Sequence, residues 1–406
     1  MEVDNCRICN KKLIKIIDLG KMALVNDFKI KGANKKYKIS LCFCSKCKHV
    51  QIPNLLNPKI LFQKYIWETG VSITNNKIVL DLIRKLKKLN LNKKSKILDI
   101  ASNDGVLLKL FKEKAGCITL GVDPAKNLAK KANENGHKTI AKFFDFGLSQ
   151  KIKKKFGCFD FITARNVIAH VLKPNQVFKG ASHLLNTNGI FIVEVPHLLN
   201  IIKDNQYDNI YHEHIGFHSL KSLIDLAKRN NLKAFKVEII DSQGGSLRCF
   251  FKKNSNVNLK IHNSIKKILN FETKNKLFNV KYLKNYKYKI LNHKKDFLNF
   301  LLKLKQKGKN ISVYGASGRG QSLLQICKIS NKIINFAYDK SKLKQNRKTP
   351  GTYITVKDPN KIEQRNIDYL IILSWNLKNE IINQEKQFRN DGGKFIVPFP
   401  KPKILA

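Results

Sequence analysis

The hydrophobic pattern of the chain becomes regular near residue 77. Apolar residues recur at helical spacing over 77–91, and residues 96–100 follow as a short, mostly apolar strand. Further apolar strands are predicted at 119–122, 159–164 and 190–195, with polar turns and helical segments between them. Strands that alternate with helices in this way are typical of a doubly wound α/β fold. We therefore predict a central α/β domain.

A second block of the same kind lies near the C-terminus. A strand is predicted at 311–314, the turn Gly315-Ala-Ser-Gly318-Arg-Gly320 leads into a helix, and the next strand ends at Asp339. The Lys- and Asn-rich stretch 254–309 has few turn signals, which predicts a connecting pair of helices. The pattern indicates a C-terminal Rossmann-like domain. Its glycines are spaced three and then two apart, the reverse of a dinucleotide-binding turn, which argues against a working dinucleotide site.

The first 70 residues are distinguished by clustered cysteines. Cys6-x-x-Cys9 and Cys44-x-x-Cys47 are separated by short strand-like segments. Two turns of this kind bring four thiolates to one tetrahedral zinc ion and leave no position open for water, so the predicted zinc is structural. Cys42 is either a fifth cysteine that does not bind the ion or a substitute ligand. The remaining cysteines lie in apolar segments and are predicted to be core residues: Cys117, Cys158, Cys249 and Cys327.

Length and composition set the domain organisation. A chain of 406 residues corresponds to two or three domains, and we divide it into a zinc-binding module (1–70), the central α/β domain (71–253) and a C-terminal Rossmann-like domain with its helical connector (254–406). No apolar run reaches the roughly 20 residues that cross a bilayer. The N-terminus lacks the layout of a signal peptide. We therefore expect a cytoplasmic protein with no membrane partner.

The net charge of +49, from 78 basic and 29 acidic residues, first suggests a nucleic-acid-binding protein. Only nine of the basic residues are Arg, the residue favoured for bidentate recognition of bases and phosphates. The lysines are spread along the whole chain, which favours a solvated lysine-rich surface. We predict no nucleic-acid partner, although such a surface would attract anionic small molecules such as nucleotide-linked substrates.

The loop after the first strand of the central domain indicates the cofactor. It contains Asp99, Ala101, Asn103 and Gly105, whereas a pyrophosphate cradle requires Gly-x-Gly-x-x-Gly. An acidic start suits the cationic methionine end of S-adenosylmethionine (SAM), so the loop favours SAM over NAD. Asp123 ends the next strand and is placed to bind ribose hydroxyls.

The segment Tyr211-His-Glu-His214 concentrates acid and base groups in four residues downstream of this loop. A histidine with a pKa near roughly 6.5 accepts a proton at neutral pH, and a phenol donates a hydrogen bond. The segment therefore indicates proton-transfer chemistry.

Taken together, these motifs resemble those of the sugar C-methyltransferases that act on nucleotide-linked 4-keto hexoses in deoxysugar biosynthesis. The resemblance covers nearly the whole chain, and the matching segments occur in the family's order. They are Cys44-Ser-Lys-Cys47-Lys-His-Val-Gln51, Leu98-Asp-Ile-Ala-Ser-Asn-Asp-Gly105, Ala164-Arg-Asn-Val-Ile-Ala-His170, Glu194-Val-Pro196, Tyr211-His-Glu-His214, Gly244-Gly-Ser-Leu-Arg248, Val313-Tyr-Gly-Ala316, Pro350-Gly351, Ser374-Trp-Asn376 and Gly392-Gly-Lys-Phe-Ile-Val-Pro398.

The resemblance implies a zinc module, a central SAM-dependent domain and a C-terminal Rossmann-like domain, with a nucleotide-linked 4-keto sugar bound where they meet. It implies methyl transfer to the carbon next to the ketone, which needs a base and a stabilised enolate. We expect His214 to be the base, Glu213 or a neighbouring carboxylate to hold its tautomer, and Tyr211 to donate to the enolate oxygen. His170 and Tyr65 also fall where the family places active-site residues.

Departures from the family's pattern concern the substrate more than the reaction. They are Ala101 in place of a glycine of the SAM loop, Phe217-His218 after the histidine segment, and Ser317-Gly318-Arg319 in the C-terminal turn. Two other functions remain open. A zinc-containing NAD oxidoreductase is favoured by the C-terminal glycine turn and Asp339, and a nucleic-acid methyltransferase is favoured by the charge. The sequence makes no prediction about oligomeric state beyond allowing a monomer.

Overall fold

The computed structural model describes residues 2–62, 69–71, 73–362 and 366–405, so Tyr65 lies outside the described residues. The strands within these ranges are β1 (Ile14–Ala23), β2 (Lys36–Phe43), β3 (Val50–Gln51), β4 (Lys96–Ile100), β5 (Ile118–Val122), β6 (Thr139–Ile140), β7 (Phe159–Arg165), β8 (Leu185–Pro196), β9 (Gly216–Phe217), β10 (Leu232–Ile240), β11 (Ser246–Lys253), β12 (Ile311–Tyr314), β13 (Phe336–Tyr338), β14 (Thr355–Lys357), β15 (Tyr369–Ile372), β16 (Lys394–Val397) and β17 (Lys403–Leu405). The α-helices are α1 (Pro58–Phe62), α2 (Ile73–Lys87), α3 (Val106–Ala115), α4 (Lys126–Glu134), α5 (Phe146–Phe156), α6 (Pro174–Leu184), α7 (Leu198–Lys203), α8 (Leu220–Lys228), α9 (Ser264–Lys274), α10 (Val280–Gln306), α11 (Gly318–Cys327), α12 (Lys378–Gln384) and α13 (Lys386–Asn390).

The central domain is built on a seven-stranded sheet in the order β10-β11-β8-β7-β4-β5-β6. Strands β4 to β8 are mutually parallel, and β11 and β10 continue the sheet in antiparallel pairs. The chain order reverses on the two sides of β4, because β5 lies on one side and β7 on the other. In such sheets the ligand crevice lies beyond the carboxyl ends of the strands at the reversal. The predicted α/β fold class is confirmed.

Most predicted elements form where the pattern places them, and one helix is shifted. The helix predicted over 77–91 is α2, which ends at Lys87. Asn90 adopts a left-handed φ of 68°, and the Leu91 amide donates to the carbonyl of Leu86, so the chain turns away before the last apolar residues. Those leucines still pack into the core from the turn. The predicted connecting helix pair corresponds to α9 and α10.

The zinc module carries a four-stranded sheet, β1-β2-β3-β9, that is not built from the N-terminal residues alone. Its last strand, β9, comes from the segment that follows His214, and Val50 pairs with Phe217 across the β3–β9 ladder. The zinc module is therefore joined by backbone hydrogen bonds to the segment that carries the predicted catalytic residues.

The C-terminal domain has a six-stranded sheet in the order β14-β13-β12-β15-β16-β17, parallel except for β17. One hydrophobic core joins this domain to the zinc module and to the segment with the predicted catalytic residues, with Phe43, Tyr207, Leu301 and Val313 among its buried members. Helix α10 has 27 residues, but lysines recur along it. Among the described residues, no helix combines the length and the apolar character needed to cross a membrane.

Candidate active site

Four cysteines of the N-terminal module form a compact sulfur cluster. The Cys6 and Cys47 Sγ atoms lie 3.4 Å apart, the Cys9 and Cys44 Sγ atoms lie 3.3 Å apart, and all four lie within 4.8 Å of one another. A tetrahedral zinc ion with Zn–S bonds of about 2.3 Å requires sulfur separations of about 3.8 Å. The described residues therefore fit a four-thiolate zinc site.

The local backbone explains this geometry. In each Cys-x-x-Cys turn the amide after the second cysteine donates to the carbonyl of the first, from Asn10 to Cys6 and from Lys48 to Cys44. Both donors adopt left-handed φ values, 59° and 61°, which folds the turn back on itself. Cys42 does not belong to the four-sulfur cluster, since it lies on β2, and burial raises the pKa of its thiol to about 11. Of its two predicted roles, the structure supports the fifth cysteine that does not bind the ion.

The predicted SAM loop leaves the carboxyl end of β4 in an unusual backbone conformation. Ala101, Asn103 and Gly105 have φ values of 63°, 53° and 82°. The Asp123 carboxylate accepts hydrogen bonds from the amides of Asn103 and Ala125, each at 2.8 Å, and so ties the loop to the end of β5. The loop is thus held open toward the crevice by a buried acid.

Gly105 is required by the conformation of the turn and does not form part of the cavity wall. A Cβ atom at this position would approach the Cβ atoms of Ala132 and His137 at 3.1 Å. Among the residues that the structure describes, Gly105 does not line the cavity, whereas the other four predicted cofactor residues do: Asp99, Ala101, Asn103 and Asp123.

Asp99 lies at the reversal point of the sheet and is almost fully buried. Its Oδ1 accepts a 2.6 Å hydrogen bond from the Thr163 hydroxyl on β7. Burial raises the pKa of Asp99 to about 7, and the nearby Arg165 acts in the opposite direction. A cation bound beside this carboxylate would favour its charged form.

The cavity beyond the strand ends has a volume of about 790 Å³, and all three domains line it. The zinc module supplies Asn26, the central domain supplies the SAM loop, and the C-terminal domain supplies Arg319 and Lys344. Four of the five predicted catalytic residues lie on the same wall: His170, Tyr211, Glu213 and His214. Tyr65 lies outside the described residues.

His214 is held in one tautomer. Its Nδ1 lies 2.9 Å from the backbone carbonyl of Asn209, which can only accept, so Nδ1 carries the proton. Its Nε2 lies 2.9 Å from the Tyr211 hydroxyl and accepts from it. The carbonyl of Asn209 therefore has the tautomer-setting role expected for Glu213 or a neighbouring carboxylate. Glu213 instead accepts a 2.6 Å hydrogen bond from the Asn26 amide group.

Burial keeps the imidazole of His214 and the phenol of Tyr211 in their neutral forms. Burial, followed by the charge of His170, lowers the pKa of His214 well below its usual value. Burial raises the pKa of Tyr211 well above its usual value. The ring of His170 lies 4.8 Å from that of His214, and burial lowers the pKa of His170 to about 4. A neutral imidazole beside an intact phenol is an acceptor–donor pair suited to proton transfer.

Sequence reasoning missed a buried charge network next to the cavity. Glu194 on β8 bonds Arg165 at 2.7 Å and Arg248 at 2.6 Å, and Arg248 also bonds Asp81 on α2 at 2.9 Å. Although burial opposes it, the charges of Arg165 and Arg248 hold the pKa of Glu194 below its usual value. The motifs at 164–170, 194–196 and 244–248 meet in this network. A lone Glu and two Arg far apart in the chain gave no sign of this pairing.

The C-terminal glycine turn is occupied by the protein's own side chains. Asp339, at the end of β13, accepts from the Ala316 amide at 2.8 Å and from the Lys344 ammonium at 3.1 Å. Arg319, inside the turn, is paired with Asp208. The Lys344 ammonium already neutralises this carboxylate, so the arrangement gives no support to the NAD alternative.

Three family models match the chain in succession. Residues 6–62 match a zinc-binding domain, residues 75–237 match a methyltransferase domain, and residues 241–400 match a C-methyltransferase C-terminal domain. The fold and the matches define a methyltransferase with a zinc-binding module. The predicted cofactors, SAM and a structural zinc ion, are confirmed at the level of these domains.

The chain thus has the three-domain layout of a C-methyltransferase. It is 29% identical over 412 residues to the C-methyltransferase NovU of Streptomyces niveus, across 100% of this chain and 97% of that protein. Two solved structures are also similar to part of the chain. Magnesium protoporphyrin IX methyltransferase from Synechocystis PCC 6803 is 12% identical over 44% of this chain and 79% of its own, with a TM-score of 0.34. A SAM-dependent methyltransferase from Clostridium acetobutylicum is 15% identical over 43% and 90%, with a TM-score of 0.34.

Proposed function

We propose that this C-methyltransferase methylates the carbon next to the ketone of a nucleotide-linked 4-keto deoxyhexose, with His214 as the base. The observation that carries the proposal is the shared cavity. The neutral imidazole of His214 and the hydroxyl of Tyr211 line the same space as the loop with Asp99 and Asp123. A C–H bond next to a carbonyl needs a base and an oxyanion donor close to a methyl donor.

The residues of the loop would hold the cofactor by its charges. SAM supplies an electrophilic methyl group when it is bound. Asp123 is placed for the ribose hydroxyls, and Asp99 for the cationic methionine end. Arg165, whose Nε bonds Glu194, also lines the cavity and faces the same end of the sheet as Asp99. The Arg165 guanidinium would be the partner for the carboxylate of the methionine end.

Substrate entry would replace one hydrogen bond with another. In the structure the Tyr211 hydroxyl donates to Nε2 of His214. When the ketone oxygen of the substrate accepts the hydrogen bond from the Tyr211 hydroxyl instead, Nε2 of His214 becomes free. It can then take the proton from the carbon next to the ketone. The electron pair of that C–H bond becomes the enolate, the enolate carbon bonds the methyl group, and the C–S bond electrons leave with S-adenosylhomocysteine. The imidazolium then returns its proton to solvent.

A direct test separates the base from the methyl donor. Purified, zinc-replete protein is incubated in D2O with a dTDP-linked 4-keto-6-deoxyhexose and S-adenosylhomocysteine, and proton NMR follows loss of the hydrogen next to the ketone. We expect exchange with the unmodified protein, and a loss of exchange by about 100-fold or more in His214→Asn. With SAM in place of S-adenosylhomocysteine, methyl transfer should fall by the same factor. SAM binding, measured by calorimetry, should be retained, because His214 lies outside the SAM loop.

His212 provides the matched control. It lies two residues away, is buried, and its Nε2 bonds the backbone carbonyl of Tyr37. His212→Asn should keep exchange near the unmodified rate. Exchange that survives in His214→Asn would rule out His214 as the base.

The same assay run against pH tests the electrostatics. The pKa of His214 is lowered, so the imidazole stays neutral as the pH falls through the ordinary histidine value. We therefore expect kcat to stay level from pH 8 to below about 6.5. A decline centred near that value would mean that the base is a solvated group elsewhere.

A further inference from the structure

The Asp208 carboxylate is a buried anion held entirely by donors of the C-terminal domain among the contacts described. The Nε and Nη2 atoms of Arg319 donate to its two oxygens at 2.8 Å and 3.0 Å, and the indole Nε1 of Trp375 donates at 2.9 Å. Asp208 is 1% exposed and Arg319 is 6% exposed. The guanidinium also lies 4.9 Å from the centre of the Trp375 ring. The ion pair of Arg319 and Asp208 is bidentate, is buried from water and has its guanidinium against an aromatic ring. Such a pair holds both side chains in one geometry.

Asp208 is one residue from the carbonyl that sets the tautomer of His214. It occupies the middle of the single helical turn Tyr207–Asn209, and the carbonyl of Asn209 accepts from Nδ1 of His214. The next carbonyl, that of Ile210, accepts a 2.8 Å hydrogen bond from the hydroxyl of Ser322. Ser322 and Arg319 both lie on α11, so one helix of the C-terminal domain holds the turn at two points.

We propose that Arg319 is a positioning residue that acts through Asp208 to hold the Asn209 carbonyl, and hence the Nδ1–H tautomer of His214. This inference rests on the proposed role of His214 as the base. It assigns a purpose to the C-terminal glycine turn, whose Arg319 binds a carboxylate of the neighbouring domain. Completion of the catalytic wall therefore depends on docking of the C-terminal domain.

The expected effect of loosening the turn is a change in the ring of His214 rather than in cofactor binding. Without the two hydrogen bonds from the Arg319 guanidinium, Asp208 can move. The Asn209 carbonyl then no longer lies in line with Nδ1 of His214. The neutral imidazole can then place its proton on Nε2, where it cannot accept a proton from the substrate. An error of about 1 Å in such a position costs on the order of 100-fold in rate.

The test is nitrogen-15 NMR of the histidine rings in the full chain, because each tautomer has its own pair of ring shifts. The His214 signals are assigned by their absence from His214→Asn. We expect the Nδ1–H form in the unmodified protein, and a mixture of forms in Asp208→Asn and Arg319→Lys. The rate of hydrogen exchange should fall by about 10- to 100-fold in both, with the SAM dissociation constant unchanged. Trp375→Phe, which removes one donor but keeps the ring, should give a smaller change in the same direction.

Asp368→Asn is the matched control, since it breaks the 2.9 Å ion pair with Lys309 in the same domain but away from the cavity. It should leave the His214 signals unchanged. An unchanged Nδ1–H tautomer and exchange rate in both Arg319→Lys and Trp375→Phe would overturn the inference. If His214→Asn keeps its activity while Arg319→Lys still shifts the tautomer, the proposed base is wrong and the positioning contact stands.

Discussion

At the scale of single residues, the backbone conformation of Ala101 is unexpected. The sequence shows only that a small residue replaces a glycine, from which a modest loss is expected. The structure places this residue at φ 63°, where an L-residue with a Cβ atom is strained by roughly 1–2 kcal/mol. The strain lies in the loop that is proposed to bind SAM, and the amide of Ala101 donates to the carbonyl of Val122 at 2.7 Å, which fixes the conformation.

Ala101→Gly should therefore stabilise the protein. Relief of the left-handed strain exceeds the entropy that glycine gains in the unfolded chain, so we expect the free energy of unfolding to rise by roughly 0.5–1 kcal/mol. Urea denaturation followed by circular dichroism measures it. Ala129→Gly, in the middle of α4, is the control and should lower the same quantity by more than about 1 kcal/mol, because it adds the loss of a buried methyl group to the helix-propensity cost. A loss of stability in Ala101→Gly would show that the loop is not strained at this position.

At the scale of elements, Glu272 connects the helical connector to the central domain. It is fully buried on α9, and one of its oxygens accepts from Nε2 of His197 at 2.9 Å. Its carboxylate also accepts from the amides of Leu220 and Lys221 at the first turn of α8. Those amides have no partner within their own helix. The local cap of α8, in which the Ser219 hydroxyl accepts from the Ser222 amide, does not reach these two amides, so a side chain from another helix completes the capping.

Removal of this carboxylate should destabilise the fold. Glu272→Ala leaves the His197 ring and two helix amides buried without an acceptor, and we expect the free energy of unfolding to fall by roughly 3 kcal/mol. The measurement is again urea denaturation. Thr273→Ala, on the exposed side of the same turn, should change it by less than about 0.5 kcal/mol. Equal effects of the two substitutions would contradict the capping role.

At the scale of the whole molecule, the charge of +49 should act on substrate capture rather than on the chemical step. The cavity lining carries both basic and acidic side chains, so the attraction comes from the lysine-rich surface around it. A nucleotide-linked sugar is anionic, so the field of the lysine-rich surface would raise its local concentration. The predicted absence of a nucleic-acid partner and the predicted cytoplasmic location stay predictions.

Salt should weaken this attraction in a specific way. Raising the ionic strength from about 10 mM to about 1 M shortens the Debye length from about 30 Å to about 3 Å. We expect KM for the nucleotide-linked sugar to rise several-fold while kcat stays level. Steady-state kinetics at fixed, saturating SAM gives both values. A KM that does not depend on salt would show that the positive surface charge does not contribute to substrate capture.

Local chemistry allowed much of the molecule to be predicted from its sequence. The strands β4, β5, β7 and β12 follow from apolar runs, because such runs are stable only when both faces of a strand are buried. The four zinc ligands follow from two short-range turns. Their spacing is a property of neighbouring residues, so no knowledge of the tertiary structure was needed.

The assembly of the proposed catalytic wall was decided by the tertiary structure. The sequence brings Tyr211 and His214 together, but the proton on Nδ1 depends on the carbonyl of Asn209, whose turn is held by Arg319 more than 100 positions along the chain. Likewise, the pairing of Glu194 with Arg165 and Arg248 arises only where three strands meet. Side-chain type and local spacing are written in the sequence, whereas burial and the partners of a buried charge depend on which distant segments pack together.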